Sequence, residues 1–130
     1  MGRWLTEELT KHGIEVIVLV RRPYPEKVCM NGSKVRYILY DSEEYNQLAA
    51  KEQGSIDVFY HLAWGGTFGA GREDLALQLE NIEGTLKAVT LAKRLGCNTF
   101  IGAGSQAEYG RTDAVLRPDT AVFPESGYGM

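Results

Sequence analysis

The sequence contains few of the residues that bind transition metals. Its 130 residues include two histidines, His12 and His61, and two cysteines, Cys29 and Cys97. The cysteines lie far apart and lack the short spacing typical of metal ligands. We therefore expect no metal site, and we interpret both cysteines as reduced thiols of a cytoplasmic protein.

Long hydrophobic runs and an excess of basic residues are also missing. The longest apolar run, IEVIVLV, is far shorter than the roughly 20 residues that span a bilayer, and it lacks the features of a targeting segment. The formal net charge is -3, so we expect no basic patch for nucleic acid or for an anionic lipid surface. These absences argue against a nucleic-acid partner and against membrane association.

What remains is the composition of a soluble globular domain. Apolar residues make up 44% of the chain and charged residues 24%, which is ordinary for a folded protein. A chain of this length can bury one core. We expect a single domain over residues 1–130, without an internal repeat.

Helical and strand patterns alternate along the chain. Apolar spacing, β-branched runs and glycine stops predict helices at 2–13, 42–53 and 72–95 and strands at 15–20, 35–40, 57–62 and 98–105. Residues 21–34 break every periodicity and predict a loop, and the first of these strands is apolar enough to be buried on both faces. The alternation predicts an α/β fold of the Rossmann type, a doubly wound parallel sheet.

Ligands of such a sheet bind beyond the carboxyl ends of the strands. The loop AWGGTFGAG after the third strand is rich in glycine and can approach a ligand closely. The other candidate positions also follow predicted strands, and the whole set is Arg21, Arg22, Asp41, Ala63, Trp64 and Ser105. The sequence therefore predicts a ligand site at one edge of the sheet.

The amino-terminal end departs from the usual form of this fold. A nucleotide-binding sheet normally begins with a strand and a glycine-rich turn, whose last glycine precedes the first helix. Here Gly2 stands directly before the first helix. We expect an incomplete sheet that lacks its first strand, so that residues 1–130 form part of a dinucleotide-binding domain.

Four segments carry a family resemblance: DVFYHLA, NIEGTLKAV, GSQAEYG and YGM, in this order. In order and spacing they resemble the extended short-chain dehydrogenase/reductase family, the NAD(P)-dependent nucleotide-sugar epimerases, dehydratases and ketoreductases. The resemblance runs through essentially all 130 residues. It implies a sugar or nucleotide-sugar substrate, whose binding domain we expect to lie outside these residues.

The resemblance assigns proton transfer to Ser105 and Tyr128. Ser105 matches the Ser or Thr that holds the reacting oxygen, although a turn or capping role explains a serine there as well. Tyr128 matches the tyrosine of a Tyr-x-x-x-Lys motif, whose lysine would lie two residues beyond Met130. Tyrosine in water has a pKa near about 10, so nearby positive charge must favour its phenolate. We therefore expect residues 1–130 alone to be inactive.

The resemblance also implies cofactor contacts. Gly2 matches the last glycine of the phosphate turn, Leu62 and Ala63 lie where relatives place backbone along the cofactor, and Asn81 matches an asparagine that fixes this region. Asp41 matches an aspartate that contacts adenine, although helix capping explains it almost as well.

Cofactor choice depends on the segment LVRRP at the end of the first strand of this chain. An acidic residue there would bind the ribose hydroxyl of NAD, whereas basic residues accept the phosphate of NADP. Arg21 and Arg22 therefore favour NADP over NAD. Alternatively, both arginines are solvated loop charges.

The reaction class follows from the residues after Ser105. Sugar dehydratases of the family carry an Asp-Glu pair there, whereas this sequence has Gln106 and Ala107. Epimerisation or reduction of a keto-sugar is thus favoured over dehydration. A non-catalytic NADP-binding regulator of the same fold is the alternative.

An apolar stripe on the long helix allows two interpretations. It consists of Leu75, Leu79, Ile82, Leu86, Val89 and Leu95. Packing against the sheet explains it, and so does pairing in a homodimer, which is common among relatives.

Overall fold

The computed structural model describes residues 1–22 and 35–130. The described elements are α1 (Gly2–Lys11), β1 (Val16–Val20), β2 (Val35–Leu39), α2 (Glu43–Lys51), β3 (Val58–His61), α3 (Leu75–Leu95) and β4 (Thr99–Gly102). Two short 3₁₀ turns lie at Gly69–Arg72 and Gln106–Tyr109. Every predicted helix and strand is confirmed, with ends shifted by a few residues. The predicted loop lies largely at 23–34, outside the described residues, as does Cys29.

The chain divides into two compact units. The first comprises Met1–Ile56 with Arg94–Gly96, and the second comprises Asp57–Lys93 with Cys97–Met130. The described strands form two two-stranded parallel sheets, β1 with β2 and β3 with β4, rather than one four-stranded sheet. In the described part of the chain, no helix combines the length and the apolar character needed to cross a membrane.

The first unit is built on the parallel pair of β1 and β2. Their register runs from Val16 opposite Val35 to Val20 opposite Leu39. Helix α1 packs against β1, and α2 packs against β2. The buried apolar residues of this unit are Ile38, Leu48, Ala49 and Leu95. All residues of β1 are half-buried, so the prediction of burial on both faces is wrong.

Capping residues set the ends of the helices in this unit. Gly13 and Gly54 adopt the left-handed conformation after α1 and α2, with φ of +74° and +76°, where glycine is favoured. The hydroxyl of Ser42 accepts a 3.1 Å hydrogen bond from the amide of Tyr45 at the start of α2. The predicted stops and the predicted serine cap are therefore confirmed.

The second unit is built on the parallel pair of β3 and β4. Val58 lies opposite Thr99, and His61 lies opposite Gly102. The rings of Phe59 and Phe100 stack across the two strands with centres 5.6 Å apart, and such cross-strand aromatic pairs stabilise a sheet.

Helix α3 buries or half-buries several small and polar residues, whereas five of its large apolar residues are exposed. The side chains that are buried or half-buried include Gln78, Asn81, Gly84, Thr85, Ala88, Leu91 and Ala92. Five members of the predicted apolar stripe are exposed, among them Leu79 at 65% and Leu86 at 64%, whereas Leu95 is buried. Packing against the sheet therefore does not explain these five residues.

Candidate active site

Strands β3 and β4 end at the same edge of their sheet. Because the strands are parallel, their carboxyl ends lie at the same edge of the sheet. The amide of Ala103 donates a 3.1 Å hydrogen bond to the carbonyl of His61, which extends the pairing beyond the strands. Leu62 is half-buried and Ala63 is exposed directly after β3. Leu62 and Ala63 therefore lie at the carboxyl edge of this sheet, and their contact with a cofactor stays a prediction.

Asn81 on α3 holds the glycine-rich loop that follows β3. Its Oδ1 accepts a 2.8 Å hydrogen bond from the amide of Gly65, and its Nδ2 donates a 2.9 Å hydrogen bond to the carbonyl of the same residue. One side-chain amide thus satisfies both backbone polar groups of a loop residue. Asn81 anchors the loop, and its contact with a cofactor stays a prediction.

Gln78, one helical turn before Asn81, is the second anchor of this loop. Its Oε1 accepts hydrogen bonds from Trp64 Nε1 at 2.9 Å and from Asn81 Nδ2 at 3.1 Å. Its Nε2 donates to the carbonyl of Gly71 at 2.8 Å and, more weakly, to that of Gly66 at 3.5 Å. Only 3% of Gln78 is exposed. A buried amide with all its bonding positions used fixes its partners in one arrangement.

The two ends of the loop touch through glycines. Gly66 has a φ of +67°, and a β-carbon there would lie 2.6 Å from the carbonyl oxygen of Gly71 and 2.7 Å from Cδ2 of Leu77. A β-carbon at Gly71 would in turn lie 2.9 Å from Cα of Gly66. Only glycine permits this approach, which closes the loop at its base and places Trp64 beside it.

Ser105 begins the turn that follows β4. Its hydroxyl accepts a 3.2 Å hydrogen bond from the amide of Ala107 and so caps the 3₁₀ turn at Gln106–Tyr109. The side chain is half-buried. The capping role that the sequence allowed is therefore present, and orientation of a substrate oxygen by Ser105 stays a prediction.

The segment that carries Tyr128 contacts both 3₁₀ turns, Gly69–Arg72 and Gln106–Tyr109. Its amide donates a 2.9 Å hydrogen bond to the carbonyl of Arg72. At the next residue, a β-carbon on Gly129 would collide with the carbonyl of Ala107. The segment that carries Tyr128 thus adjoins the turn that Ser105 caps.

Two side chains flank the ring of Tyr128. The guanidinium carbon of Arg72 lies 5.2 Å from the centre of the ring. The ring of Trp64 meets it edge to face, with centres 6.5 Å apart and planes at 73°. Tyr128 is half-buried, so the ring is held within the unit.

His61 at the end of β3 serves packing. Its Nε2 lies 3.1 Å from the hydroxyl of Thr85, and its ring stacks near that of Phe100 with centres 6.1 Å apart. Because Thr85 donates its own proton to the carbonyl of Asn81, His61 Nε2 is the donor to Thr85. Partial burial lowers the pKa of His61 below its usual 6.5, which favours the neutral imidazole.

Comparison with known proteins adds the family. The sequence profile of the NAD dependent epimerase/dehydratase family matches residues 1–130. The chain belongs to this family.

Several solved structures are similar in fold to this chain, among them two UDP-glucose 4-epimerases. MoeE5 in complex with UDP-glucose and NAD is 26% identical, with a TM-score of 0.80, and the match covers 98% of this chain and 40% of that chain. A UDP-glucose 4-epimerase is 19% identical, with a TM-score of 0.73 over 95% of this chain and 38% of its own. A UDP-glucose-4-epimerase from Stenotrophomonas maltophila, with bound NAD and formylated UDP-arabinopyranose, is 19% identical, with a TM-score of 0.71 over 94% of this chain and 39% of its own.

These likenesses confirm the Rossmann-type fold class. The chain spans about two fifths of the length of the solved structures that it matches, from 38% to 41%. Among curated proteins, no sequence matches the chain. That residues 1–130 form one partial dinucleotide-binding domain, with the substrate domain elsewhere, stays a prediction.

The predicted preference for NADP is wrong. The family is NAD dependent, and MoeE5 was solved with NAD together with UDP-glucose and together with UDP-glucuronic acid. Arg21 and Arg22 follow β1 and are both exposed, and hydration accounts for such charges without a bound phosphate. The alternative interpretation, two solvated loop charges, is the one that agrees with the family.

The exposed residues after β3 and β4 fit a dinucleotide of the kind that the family uses. A β-carbon at Gly102 would have no neighbour within 4 Å except the ring of Phe100, at 3.7 Å. Ala63 and Ala103 are exposed and carry no side chain beyond the β-carbon. A ligand can therefore approach the backbone along this edge closely.

The remaining predicted cofactor residues belong to the first unit. Gly2 is exposed and begins α1. Asp41 follows β2 with a φ of +61°, the only positive φ at a non-glycine residue in the described ranges. Ser42, not Asp41, caps α2, so capping does not account for Asp41. The cofactor roles of Gly2 and Asp41 stay predictions.

Sequence reasoning missed Arg72 and Gln78. Gln78 lies on the same face of α3 as Asn81, three residues earlier, and this spacing was the available signal. Arg72 had no such signal, because its link to Tyr128 joins positions far apart in the chain.

Across 1–22 and 35–130, no three His, Cys, Asp or Glu side chains are grouped as a metal ion would need. Cys97 is a free thiol, and burial raises its pKa.

Proposed function

We propose that the chain carries cofactor contacts and the proton-transfer residues of an NAD-dependent enzyme that acts on nucleotide sugars. The observation that carries the proposal is the adjacency of two segments, with Gly129 against the carbonyl of Ala107, which joins the Tyr128 segment to the turn that Ser105 caps. The likeness to MoeE5, solved with UDP-glucose and with UDP-glucuronic acid, supports a UDP-sugar as the substrate.

The proposed chemistry divides the work between cofactor and side chains. Leu62, Ala63 and the loop that Asn81 anchors would hold NAD, which would supply a hydride acceptor for epimerisation and, as NADH, a hydride donor for reduction of a keto-sugar. Tyr128 exchanges the proton of the reacting sugar hydroxyl, and Ser105 holds the same oxygen by a hydrogen bond. These roles extend the motif assignments to the geometry of the second unit.

Epimerisation or reduction of a keto-sugar is the proposed reaction class. Dehydration needs carboxylates directly after Ser105, and the side chains there are the amide of Gln106 and the methyl of Ala107. The next carboxylate along the chain, Glu108, lies beside Gly104, with Oε1 3.5 Å from where a β-carbon of that glycine would be.

The proposal is tested with the full chain as its gene encodes it. UDP-glucose or UDP-glucuronic acid is supplied with NAD, and proton NMR of the sugar ring detects inversion at one carbon. Reduction is assayed separately with a UDP-4-keto-sugar and NADH, whose oxidation is followed by absorbance. We expect Tyr128→Phe and Ser105→Ala to lower kcat by about 10²-fold or more. Tyr60→Phe, at an exposed tyrosine of β3, is the matched control. Full turnover by Tyr128→Phe would contradict the proposal.

Residues 1–130 on their own are proposed to be inactive, because they span 40% of the chain of MoeE5. Turnover by this segment alone would refute that statement. If the full chain binds NAD but turns over neither UDP-sugar nor keto-sugar, the result supports a non-catalytic regulatory protein.

We also propose that a second copy of the chain covers the exposed face of α3. Leu75, Leu79, Ile82 and Leu86 recur every three or four residues and are all exposed, as in helices that pair through an apolar seam. We expect a dimer by light scattering, which Leu79→Glu with Leu86→Glu converts to a monomer. Val115→Glu changes an exposed apolar residue outside α3 and should leave the dimer intact.

A further inference from the structure

Arg72 contacts Tyr128 in two independent ways. Its carbonyl accepts the 2.9 Å hydrogen bond from the Tyr128 amide, and its guanidinium carbon lies 5.2 Å from the centre of the Tyr128 ring. A cation over the face of an aromatic ring is attracted by the electron density of that face. One residue therefore fixes both the backbone and the ring of Tyr128.

Gly127 makes this approach possible. A β-carbon at position 127 would lie 3.1 Å from Cδ2 of Leu75 and 3.3 Å from the carbonyl oxygen of Arg72. A larger residue would push the chain away from Arg72 and lengthen the hydrogen bond from Tyr128. The glycine before the tyrosine thus has a structural reason of its own.

The Nε of Arg72 is the innermost hydrogen-bond donor of its side chain. It is shielded from solvent and has no hydrogen-bond acceptor among the described residues. A buried donor without an acceptor is unfavourable unless another electron-rich group faces the cation. The Tyr128 ring is such a group, and its attraction for a cation strengthens as water is excluded.

Trp64 is the second aromatic contact of the same ring. It meets Tyr128 edge to face, at 73°, which is a favourable arrangement for two aromatic rings. Its own orientation is set by the 2.9 Å hydrogen bond to buried Gln78. Tyr128 therefore lies against a cation and an indole ring that the loop anchors.

We propose that Arg72 is a positioning residue for Tyr128. Together with Trp64, Arg72 holds the phenol ring of Tyr128 in one orientation before substrate binds. The proposal rests on the proposed function, in which the Tyr128 hydroxyl exchanges a proton with the sugar. A ring with one orientation presents its hydroxyl in one direction, and such preorganisation raises kcat without adding a contact to the substrate.

Arg72→Met and Arg72→Lys separate positioning from binding. Both keep the backbone carbonyl that accepts the Tyr128 amide, and methionine removes the charge while lysine keeps it without the planar group. In the full chain we expect kcat to fall about tenfold in Arg72→Met, with an intermediate loss in Arg72→Lys. KM for the UDP-sugar should be unchanged, and Arg117→Met, at an exposed arginine, should have full activity.

The opposite split would overturn the proposal. If Arg72→Met raises KM and leaves kcat unchanged, Arg72 binds substrate and does not position the tyrosine. Equal kcat and KM in the wild type and in Arg72→Met would also refute it.

A measurement that does not depend on turnover tests the contact itself. NMR of ¹³C-labelled tyrosine, with the Tyr128 signal assigned from Tyr128→Phe, should show that signal move in both Arg72→Met and Trp64→Leu. An unmoved signal in both variants would refute the contact whatever the kinetics. If the signal moves but Tyr128→Phe retains full turnover, the contact stands while the proposed function fails, and with it the catalytic purpose of the positioning.

Discussion

The indole Nε1 of Trp64 donates a 2.9 Å hydrogen bond to Oε1 of Gln78, a side chain that is almost fully buried. The bond links the glycine-rich loop to α3 through the side chain that also contacts the Tyr128 ring. The stability of the loop and the geometry around Tyr128 therefore depend on the same buried amide.

Gln78→Leu should be strongly destabilising. The substitution leaves the donors on Trp64 and Asn81 and the carbonyl of Gly71 without their partner. We expect the free energy of unfolding to fall by about 3 kcal/mol, measured by urea denaturation. Gln47→Leu is the matched control, because Gln47 is exposed and its side chain bonds the exposed carboxylate of Glu43. Equal losses in the two variants would contradict the anchoring role of Gln78.

Two alanine substitutions in the glycine loop should differ greatly in cost. Gly66 and Gly69 both have positive φ, +67° and +56°, but only Gly66 is crowded by the carbonyl of Gly71 and by Leu77. We expect Gly69→Ala to lower the free energy of unfolding by about 1 kcal/mol through backbone strain alone. Gly66→Ala should cost about 3 kcal/mol or more, since strain and overlap add. Thermal unfolding followed by circular dichroism compares the two, and similar costs would show that the loop is open at its base.

Loss of the serine cap should weaken α2 by a modest amount. Ser42→Ala removes the acceptor of the Tyr45 amide, and we expect a loss of about 1 kcal/mol in the free energy of unfolding. Ser42→Asp retains an acceptor at the helix N-terminus and should be close to wild type. A destabilisation as large in Ser42→Asp as in Ser42→Ala would refute capping as the cause.

The pH dependence of stability between about pH 7 and 5 should come from His61. Partial burial lowers its pKa below 6.5 in the folded state, so the unfolded chain binds the proton first as the pH falls. Stability therefore decreases as the pH drops through this range and levels off below the folded pKa. His61→Gln should remove this dependence in urea denaturation series.

Acidic groups act at lower pH and can be separated from this effect. Hydrogen bonds from Lys11, Arg36 and Lys87 lower the pKa values of Glu8, Glu52 and Glu83 below their usual 4.5. Their stabilising effect is lost only as the pH falls below about that value. A dependence between pH 7 and 5 that persists in His61→Gln would therefore contradict the assignment to His61.

Local patterns predicted the elements well. The stops at Gly13 and Gly54 and the cap at Ser42 depend on one or two residues each, and backbone preference decides them without tertiary contacts. The strand order along the chain also predicted that pairing is parallel, as found for both sheets. The family motifs singled out Ser105, Asn81 and Tyr128, all of which lie in the second unit.

The inner face of α3 could not be predicted in the same way. Hydrophobicity alone left open whether the stripe of Leu79, Ile82 and Leu86 packs on the sheet or in a homodimer, and these side chains are exposed. The helix instead buries Gln78 and half-buries Asn81, whose amides find backbone partners in the irregular loop that precedes the helix. A polar residue is buried when its partners are in place, and those partners are known only once the chain is folded.

The closure of the glycine loop at Gly66 and Gly71 divides it into a closely packed base and an exposed tip. Between the two glycines, Phe68 is 88% exposed, and a β-carbon at Gly69 would meet no atom within 4 Å. Insertions and new side chains can therefore accumulate at the tip while the base holds Trp64 and Arg72 still. Substitutions at the tip could thus create contacts to new ligands without moving the residues that surround Tyr128.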